Sequence, residues 1–599
     1  MTHQFIRVIQ DFVSHPYQLY AAQTHSLWRK SRRLAQDVCG SLVIKKLWRE
    51  AYFQFLNQVK DRLLLVIAIK VAHLQRMKEV EKERDALLTF KQGLIDPSNG
   101  LSSWNGHNCC NWFGVSCSNQ TGHVTKLDLH ARSSCNQLMN NTTFPCKMML
   151  GGKLSSSILE LKYLSYLDLS LNDFNDTHIP HFVGSLRNLR YLDLSKSSFS
   201  GMVPPNLGNL SQLQYLDLGY FVGGLWVSDL HWLPKLSSLQ YLNLGRVNLS
   251  KATTYWVQTV NMLPSLLELH LSSCELHSFP HSPPSVNFTS LSVLDLGSNH
   301  FDSSSILSWC FNITTLTQLH FPGSDLRGLI PEIQRGSFCN LHTFNLAQNY
   351  RLKGDVKRVV DALSGCGNAT LESLNLRFCQ LSENLPNSLG YLKNLGYLDL
   401  SSNLILGPIP QSLGNLSRLQ ALYLSNNSML SGTTPESIGQ LVELQILDLS
   451  LNSWDGIITE VHFLNLTNLL HLSLSSTKNL VLKVPNDWIP PFNLVLIKII
   501  GCQLGPAFPA WLKTQTNLAI ITLSNTSISG ILPDWVWKFP SWMPMLSTLD
   551  LSDNHLKGGL SRSLPFGSLC LNSVDLSFNQ FEGSVPLWPG VKKPVFKEQ

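Results

Sequence analysis

The groups in this chain that could do chemistry are carboxylates, tyrosine hydroxyls and thiols, and their spacing sorts them by role. Asp168, Asp193, Asp217, Asp295, Asp399, Asp448, Asp550 and Asp575 all stand between two apolar residues in one recurring L-D-L slot. An acidic column of that kind can attract a cation or a basic peptide, but a residue that returns with every repeat belongs first to the repeat. Tyr166, Tyr191, Tyr215 and Tyr241 stand two positions before that slot in four consecutive repeats. Side chains two apart on a strand share a face, so these rings stack into an aromatic stripe of the rigid, amphipathic kind that recognition surfaces favour. They are the candidate ligand-binding residues, against the plainer reading that tyrosine packs well on any strand. Catalysis finds no foothold: the sequence has no G-x-x-x-x-G-K-[ST], H-E-x-x-H, H-R-D or D-F-G and no glycine-rich phosphate loop. A non-enzymatic protein without metal or cofactor is expected.

Thiols and asparagines add a second set. The thirteen cysteines are an odd number without paired C-x-x-C spacing, which argues against a zinc site. Cys135 and Cys146 bracket one irregular stretch, and Cys339 and Cys366 bracket another. Bridges closing those loops suit an exported protein, with free thiols as the alternative. Sequons stand at Asn119, Asn140, Asn141, Asn175, Asn209, Asn248, Asn287, Asn312, Asn368, Asn415, Asn426, Asn465 and Asn525. They point to a glycosylating compartment, although N-L-S/T is also part of the repeat and the count overstates its independence.

What must position these groups is a repeat. Leu392, Leu416 and Leu441 open three successive units, 24 and 25 residues apart, that read L-x-x-L-x-x-L-x-L-x-x-N. The L-x-L core alternates with period two, so it is a short strand with one buried face. One such strand cannot bury its leucines. Stacking units in parallel, about 4.8 Å apart, joins them into a continuous core. Asn403, Asn427 and Asn452 then face the neighbouring turn and can satisfy its peptide groups. Ser197, Cys274, Cys379, Cys502 and Thr526 replace that asparagine elsewhere, which makes those cysteines buried ladder substitutes and not nucleophiles. The G-x-I-P segment from Gly407 to Pro410 calls for an extended or turn-like return, because proline donates no hydrogen bond. About eighteen coils follow over 123–589, interrupted at 133–147, 222–231 and 350–370. The fold class is α/β: a curved leucine-rich-repeat solenoid with a parallel sheet on its concave face.

Charge is unevenly placed. The net charge of +6 divides into +9 over residues 1–78, with thirteen Lys/Arg against four Asp/Glu, and −3 over the rest. The basic excess therefore belongs to an N-terminal extension, 1–78, and no nucleic-acid partner is inferred. The basic run Arg29, Lys30, Arg32, Arg33 reads as a solvated segment, with a nuclear or anionic-surface signal as the alternative. Residues 63–69 (LLLVIAI) are too short to span a membrane, yet have the length and basic flank of a secretory signal core in a displaced position. An ordinary buried segment is the alternative.

A cap, 79–122, precedes the coils. Ala86, Leu87, Phe90 and Leu94 lie on one helical face, and after them comes SSWNGHNCCNWFGVSC. Helix, tryptophan, double cysteine, W-x-G-V-x-C and the repeats together resemble the plant extracellular leucine-rich-repeat family of receptor-like proteins and receptor kinases, over about residues 82–589. The resemblance implies a disulfide-sealed helical cap in which Cys110 pairs with Cys117. It also implies a partner for Cys109 just before the helix, where this chain has Lys78, Glu79 and Val80. It further implies an ectodomain at the cell surface, anchored in a full-length parent, that binds a peptide, glycan or partner ectodomain in defence or developmental signalling, with a co-receptor as a further partner. A secreted inhibitor of cell-wall hydrolases and a nonfunctional receptor fragment are the rival readings. The last coil runs into a short tail, 590–599, where the family continues through more repeats, a cap and a membrane anchor; an open end exposes leucines and strand edge.

Overall fold

A computed structural model describes residues 42–131, 149–220, 224–334, 338–366, 370–538, 543–560, 571–583 and 593–595. Cys135, Cys146, Asn140, Asn141, Asn368 and the basic run at 29–33 lie outside them. The chain divides into two compact units, 1–82 and 83–599.

The second unit is the solenoid the repeats require. Among the described residues twenty strands form its main sheet, from Val115–Cys117 to Lys593–Val595. Only Val115–Cys117 runs antiparallel, against Val124–Asp128. Among the described residues the remaining nineteen are parallel and follow chain order, so the sheet is open, with its first and last described strands each paired on one side. Equivalent residues face one another from coil to coil: Leu167 pairs with Leu192, Leu192 with Leu216, and Leu216 with Leu242. The leucines between them make one continuous core from Leu87 to Leu576. No coil could hold that core alone, which is why stability here depends on neighbours.

The asparagine ladder closes each turn. Asn452 Nδ2 donates to Leu424 O at 3.0 Å in the preceding coil and to its own Leu449 O at 3.0 Å. Asn172, Asn299, Asn349, Asn403, Asn427, Asn554 and Asn579 make the same double contact. Ser197 Oγ and Cys274 Sγ reach the equivalent carbonyls, Leu169 O at 2.6 Å and Leu244 O at 3.1 Å, as ladder substitutes should. Cys379 does likewise to Leu346 O at 3.2 Å.

On the return side the proline-bearing segments make single turns of 3₁₀ helix, such as Pro205–Asn209, Gln411–Asn415 and Glu436–Gln440. Pro204, Pro410 and Pro435 sit just ahead of each in extended backbone, where a missing N–H costs nothing. Within the interruption at 350–370 lies a short helix. Asp355 caps the helix Val356–Leu363 by accepting from Lys357 N at 2.8 Å, and Val356, Val359, Val360 and Leu363 are buried.

The cap is tied to the first coil by a group the sequence reading passed over. Glu83, 2 % exposed, accepts from Val124 N at 2.9 Å and pairs with His123 Nδ1 at 2.9 Å. Leu87 and Phe90 are fully buried beneath it. Trp104 and Trp112 stack with centroids 5.6 Å apart, and their indole N–H groups donate to Phe113 O and Asn105 O.

The helix that ends in this cap, Leu42–Gly93, is longer than the sequence reading placed it. Its 52 residues contain no proline, and their one glycine is the last residue, so nothing in the segment breaks it. It lacks a single apolar stripe, which is why periodicity did not show it. Leu64, Leu65, Val66, Ile67 and Ile69 are exposed on it. No helix among the described residues is long and apolar enough to cross a membrane.

Candidate ligand-recognition face

Four neighbouring strands, Tyr166–Asp168, Tyr191–Asp193, Tyr215–Asp217 and Tyr241–Asn243, bring the predicted tyrosines into register. Their rings stack continuously. Centroids are 4.1, 4.2 and 4.2 Å apart and the planes differ by 6, 12 and 8°. Strand spacing sets this: side chains on paired residues are about 4.5–5.5 Å apart at Cβ, so flat rings standing on the sheet fall into contact.

The ring faces are thus covered by one another, and all four tyrosines are half-buried. This refines the aromatic stripe read from the sequence, because what reaches solvent is the ring edges and hydroxyls. Both ends of the stack are closed as well. Lys126 Nζ lies 4.0 Å from the Tyr166 ring centre, and His270 tilts against Tyr241 at 5.3 Å. Neither closing residue was singled out from the sequence, although Lys126 occupies the tyrosine slot of the preceding strand and His270 the aspartate slot of the following one.

Beside the rings runs the acidic row. Asp168, Asp193 and Asp217 are all less than 9 % exposed. Asp168 Oδ1 accepts from Ser170 N at 3.0 Å and Oγ at 2.7 Å, Asp193 Oδ1 from Ser195 N at 2.9 Å, and Asp217 Oδ1 from Gly219 N at 2.8 Å. One oxygen of each therefore holds its own turn, the role expected of a consensus residue. The other faces the tyrosines: Tyr166 and Tyr191 donate to Asp168 Oδ2 and Asp193 Oδ2 at 3.2 and 3.3 Å. In the fourth coil asparagine replaces aspartate, and Tyr241 reaches back to Asp217 Oδ2 at 3.4 Å beside Asn243 Nδ2 at 3.1 Å.

This packing sets the protonation states. Burial, with Asp217 and Asp168 adding repulsion, pushes the Asp193 carboxyl up to about 6. Asp217 is raised by burial too. Burial and the nearby carboxylates push Tyr166 and Tyr241 up to about 12, and raise Tyr191 and Tyr215 further. The hydroxyls remain neutral donors at any physiological pH.

At the Tyr166 end, ligating atoms of Asp128, His130 and Asp168 lie within 4.8 Å of one another. Lys126 Nζ already stands 2.9 Å from Asp128 Oδ2, and His130 Nδ1 is 2.5 Å from Oδ1. Although burial works the other way, these two contacts hold the Asp128 carboxyl below its usual range. Asp128 thus already has both its oxygens engaged by neighbouring side chains. The remaining acidic-slot residues, Asp295, Asp399, Asp448, Asp550 and Asp575, lie on strands farther along the sheet.

Among the cysteines, Cys110 is joined to Cys117 and Cys339 to Cys366. Cys109, Cys274, Cys310, Cys379 and Cys502 are buried free thiols. Burial, with Glu83 nearby, raises Cys109. The described sequon residues Asn119, Asn175, Asn209, Asn248, Asn287, Asn312, Asn415, Asn426, Asn465 and Asn525 are all exposed.

Residues 80–118 match the leucine rich repeat N-terminal domain, and 188–210, 370–392, 394–416 and 418–441 match the leucine rich repeat itself. Among curated relatives, receptor-like protein EIX1 of Solanum lycopersicum is 39 % identical over 594 residues, covering 85 % of this chain and 56 % of the relative. Receptor-like protein EIX2 of the same plant is 38 % identical over 590 residues with the same coverage. The chain is thus similar to plant receptor-like proteins with leucine-rich repeats. It spans about half the length of these receptor-like proteins. Among solved structures, the Arabidopsis receptor kinase HAESA, in complex with the peptide hormone IDA and the co-receptor SERK1, aligns with TM-score 0.62 and 25 % identity over 86 % of this chain and 90 % of that one. The ectodomain of the Arabidopsis receptor kinase GASSHO1/SCHENGEN3, in complex with CASPARIAN STRIP INTEGRITY FACTOR 2, aligns with TM-score 0.57 and 23 % identity over 83 % and 64 %. The receptor-like family and its repeat solenoid are those expected from the cap and repeat motifs.

Proposed function

We propose that this chain is a non-enzymatic recognition module, the ligand-binding part of a plant cell-surface receptor-like protein. Its ligand is a peptide or protein, and a co-receptor ectodomain is a second partner. The observation that carries the reading is the tyrosine–aspartate face: four half-buried rings locked edge-outward, with neutral hydroxyl donors and carboxylate acceptors alternating along the sheet. A surface held rigid before binding loses little entropy on docking. The HAESA complex, a fold relative with a peptide hormone and co-receptor bound, supports the same class of partner. Exposed sequon asparagines and the cap disulfide support an extracellular site.

The test is to pan the secreted full chain against an extracellular peptide library and footprint the recovered complex with hydroxyl radicals. Oxidation of Tyr166, Tyr191, Tyr215 and Tyr241 should fall on binding. Binders that leave all four tyrosines equally oxidised would place recognition on another surface.

A further inference from the structure

Away from the sheet face, three successive turns line an open cavity of about 450 Å³ formed by Gly224, Leu225, Trp226, Arg246, Asn248, Ser273 and Glu275. Pockets that enclose small ligands run from about 300 to 1,000 Å³. One of its lining residues, Asn248, carries a sequon, and its neighbours hold it in a defined pose. Asn248 N donates to Leu225 O at 2.9 Å and Asn248 O accepts from Val227 N at 3.1 Å, which sets Asn248 directly opposite Trp226. Its Oδ1 accepts from Ser250 N at 2.9 Å and from Ser250 Oγ at 2.6 Å. The sequon's own serine thereby fixes the amide and leaves Nδ2 turned away from it. Other sequon amides are spent on the protein: Asn287 Nδ2 donates to Asn261 O, Asn312 Nδ2 to Ser308 O and Asn426 Nδ2 to Ser402 Oγ, at 3.3, 3.0 and 3.1 Å.

We propose that Asn248 carries an N-linked glycan whose first N-acetylhexosamine seats in this cavity and bridges the three coils. In the transfer step Nδ2 attacks C1 of a lipid diphosphate-linked oligosaccharide. The N–C bond forms, the C–O bond breaks, the diphosphate leaves with the electron pair and the amide loses one proton. In the folded chain the apolar C–H face of the sugar packs on the Trp226 indole, whose negative ring face favours such contact. Lys251 Nζ, 4.3 Å from the ring centre, steadies that indole. Arg246, Ser273 and Glu275 supply a donor, a hydroxyl and an acceptor for the acetamido and hydroxyl groups.

The inference rests on the extracellular part of the functional reading, and one experiment separates the two. The full chain is secreted from plant cells, its glycopeptides are mapped, and glycan release by an amidase is timed on native and on unfolded protein. Glycans at Asn209 and Asn415 report export alone. The Asn248 glycan should be present and released at least tenfold more slowly than those two from native protein, at equal rates after unfolding. Trp226→Ala should bring its native release close to theirs. An empty Asn248 beside occupied Asn209 and Asn415, or native release at their rate, overturns the proposal while leaving export intact. A chain without glycan at any of the three overturns both.

Discussion

Asn427 and Asn452, one coil apart and both fully buried, are joined head to tail: Asn427 N donates to Asn452 Oδ1 at 2.9 Å. Asn452 Nδ2 meanwhile satisfies Leu424 O, Leu449 O and Ser450 O. One side chain thus pairs four backbone groups that no water can reach.

Asn452→Ala should therefore destabilise the array by about 1–3 kcal/mol, the cost of leaving Asn427 N buried without a partner, since Leu424 O, Leu449 O and Ser450 O keep bonds from Asn427 Nδ2, Trp454 Nε1 and Asn426 N. Denaturant unfolding measures it. A change below about 0.5 kcal/mol, the scale of an ordinary surface substitution, would mean the ladder bonds are replaced by others.

The bridge Cys339–Cys366 closes a loop of sequence separation 27 around the helix Val356–Leu363. Chain-entropy bookkeeping gives such a loop about 3–4 kcal/mol. Cys339→Ser with Cys366→Ser should lose about that much, with proteolysis appearing first between 339 and 370. Equal stability and equal protease resistance would contradict the contribution.

Asp193 sets a pH dependence with a definite sign. Its folded pKa, about 6, lies above the ordinary 3.8, so the folded state holds the proton more tightly than the unfolded chain. The contribution is complete below about pH 4 and is lost as pH rises through about 6, at up to about 1.4 kcal/mol per pH unit. Asp168 and Asp217 on the flanking strands, the Tyr191 hydroxyl and the Ser195 N–H face this carboxyl. Asp193→Asn should flatten the stability curve between pH 4 and 6. A variant whose curve keeps the parent's slope would assign the dependence to Asp217 instead.

The solenoid was legible because the leucine spacing states a local fact, one buried strand per unit, and only one stacking satisfies it. The tyrosine register followed from the same spacing. The pairing of Tyr241 with Asp217 did not, since it arises where Asn243 interrupts the acidic row and the hydroxyl turns back to the previous coil. The helix upstream of Glu83 was hidden because its apolar residues do not recur at one helical spacing. The cavity at Asn248 depends on Trp226, Arg246 and Glu275 meeting from three coils, in a stretch where the repeat is worn and neighbours cannot be read by period.

Recognition through the tyrosine–aspartate face is measured most directly by affinity for a panned peptide. Tyr191→Ala with Tyr215→Ala removes the two inner rings while Leu192 and Leu216 keep the core. It should weaken binding about tenfold or more, about 1.4 kcal/mol or above. Tyr191→Phe with Tyr215→Phe keeps the stack and removes only the hydroxyls, so a loss in this variant assigns the contact to the donors. A folded double-alanine variant that binds as tightly as the parent would contradict the account.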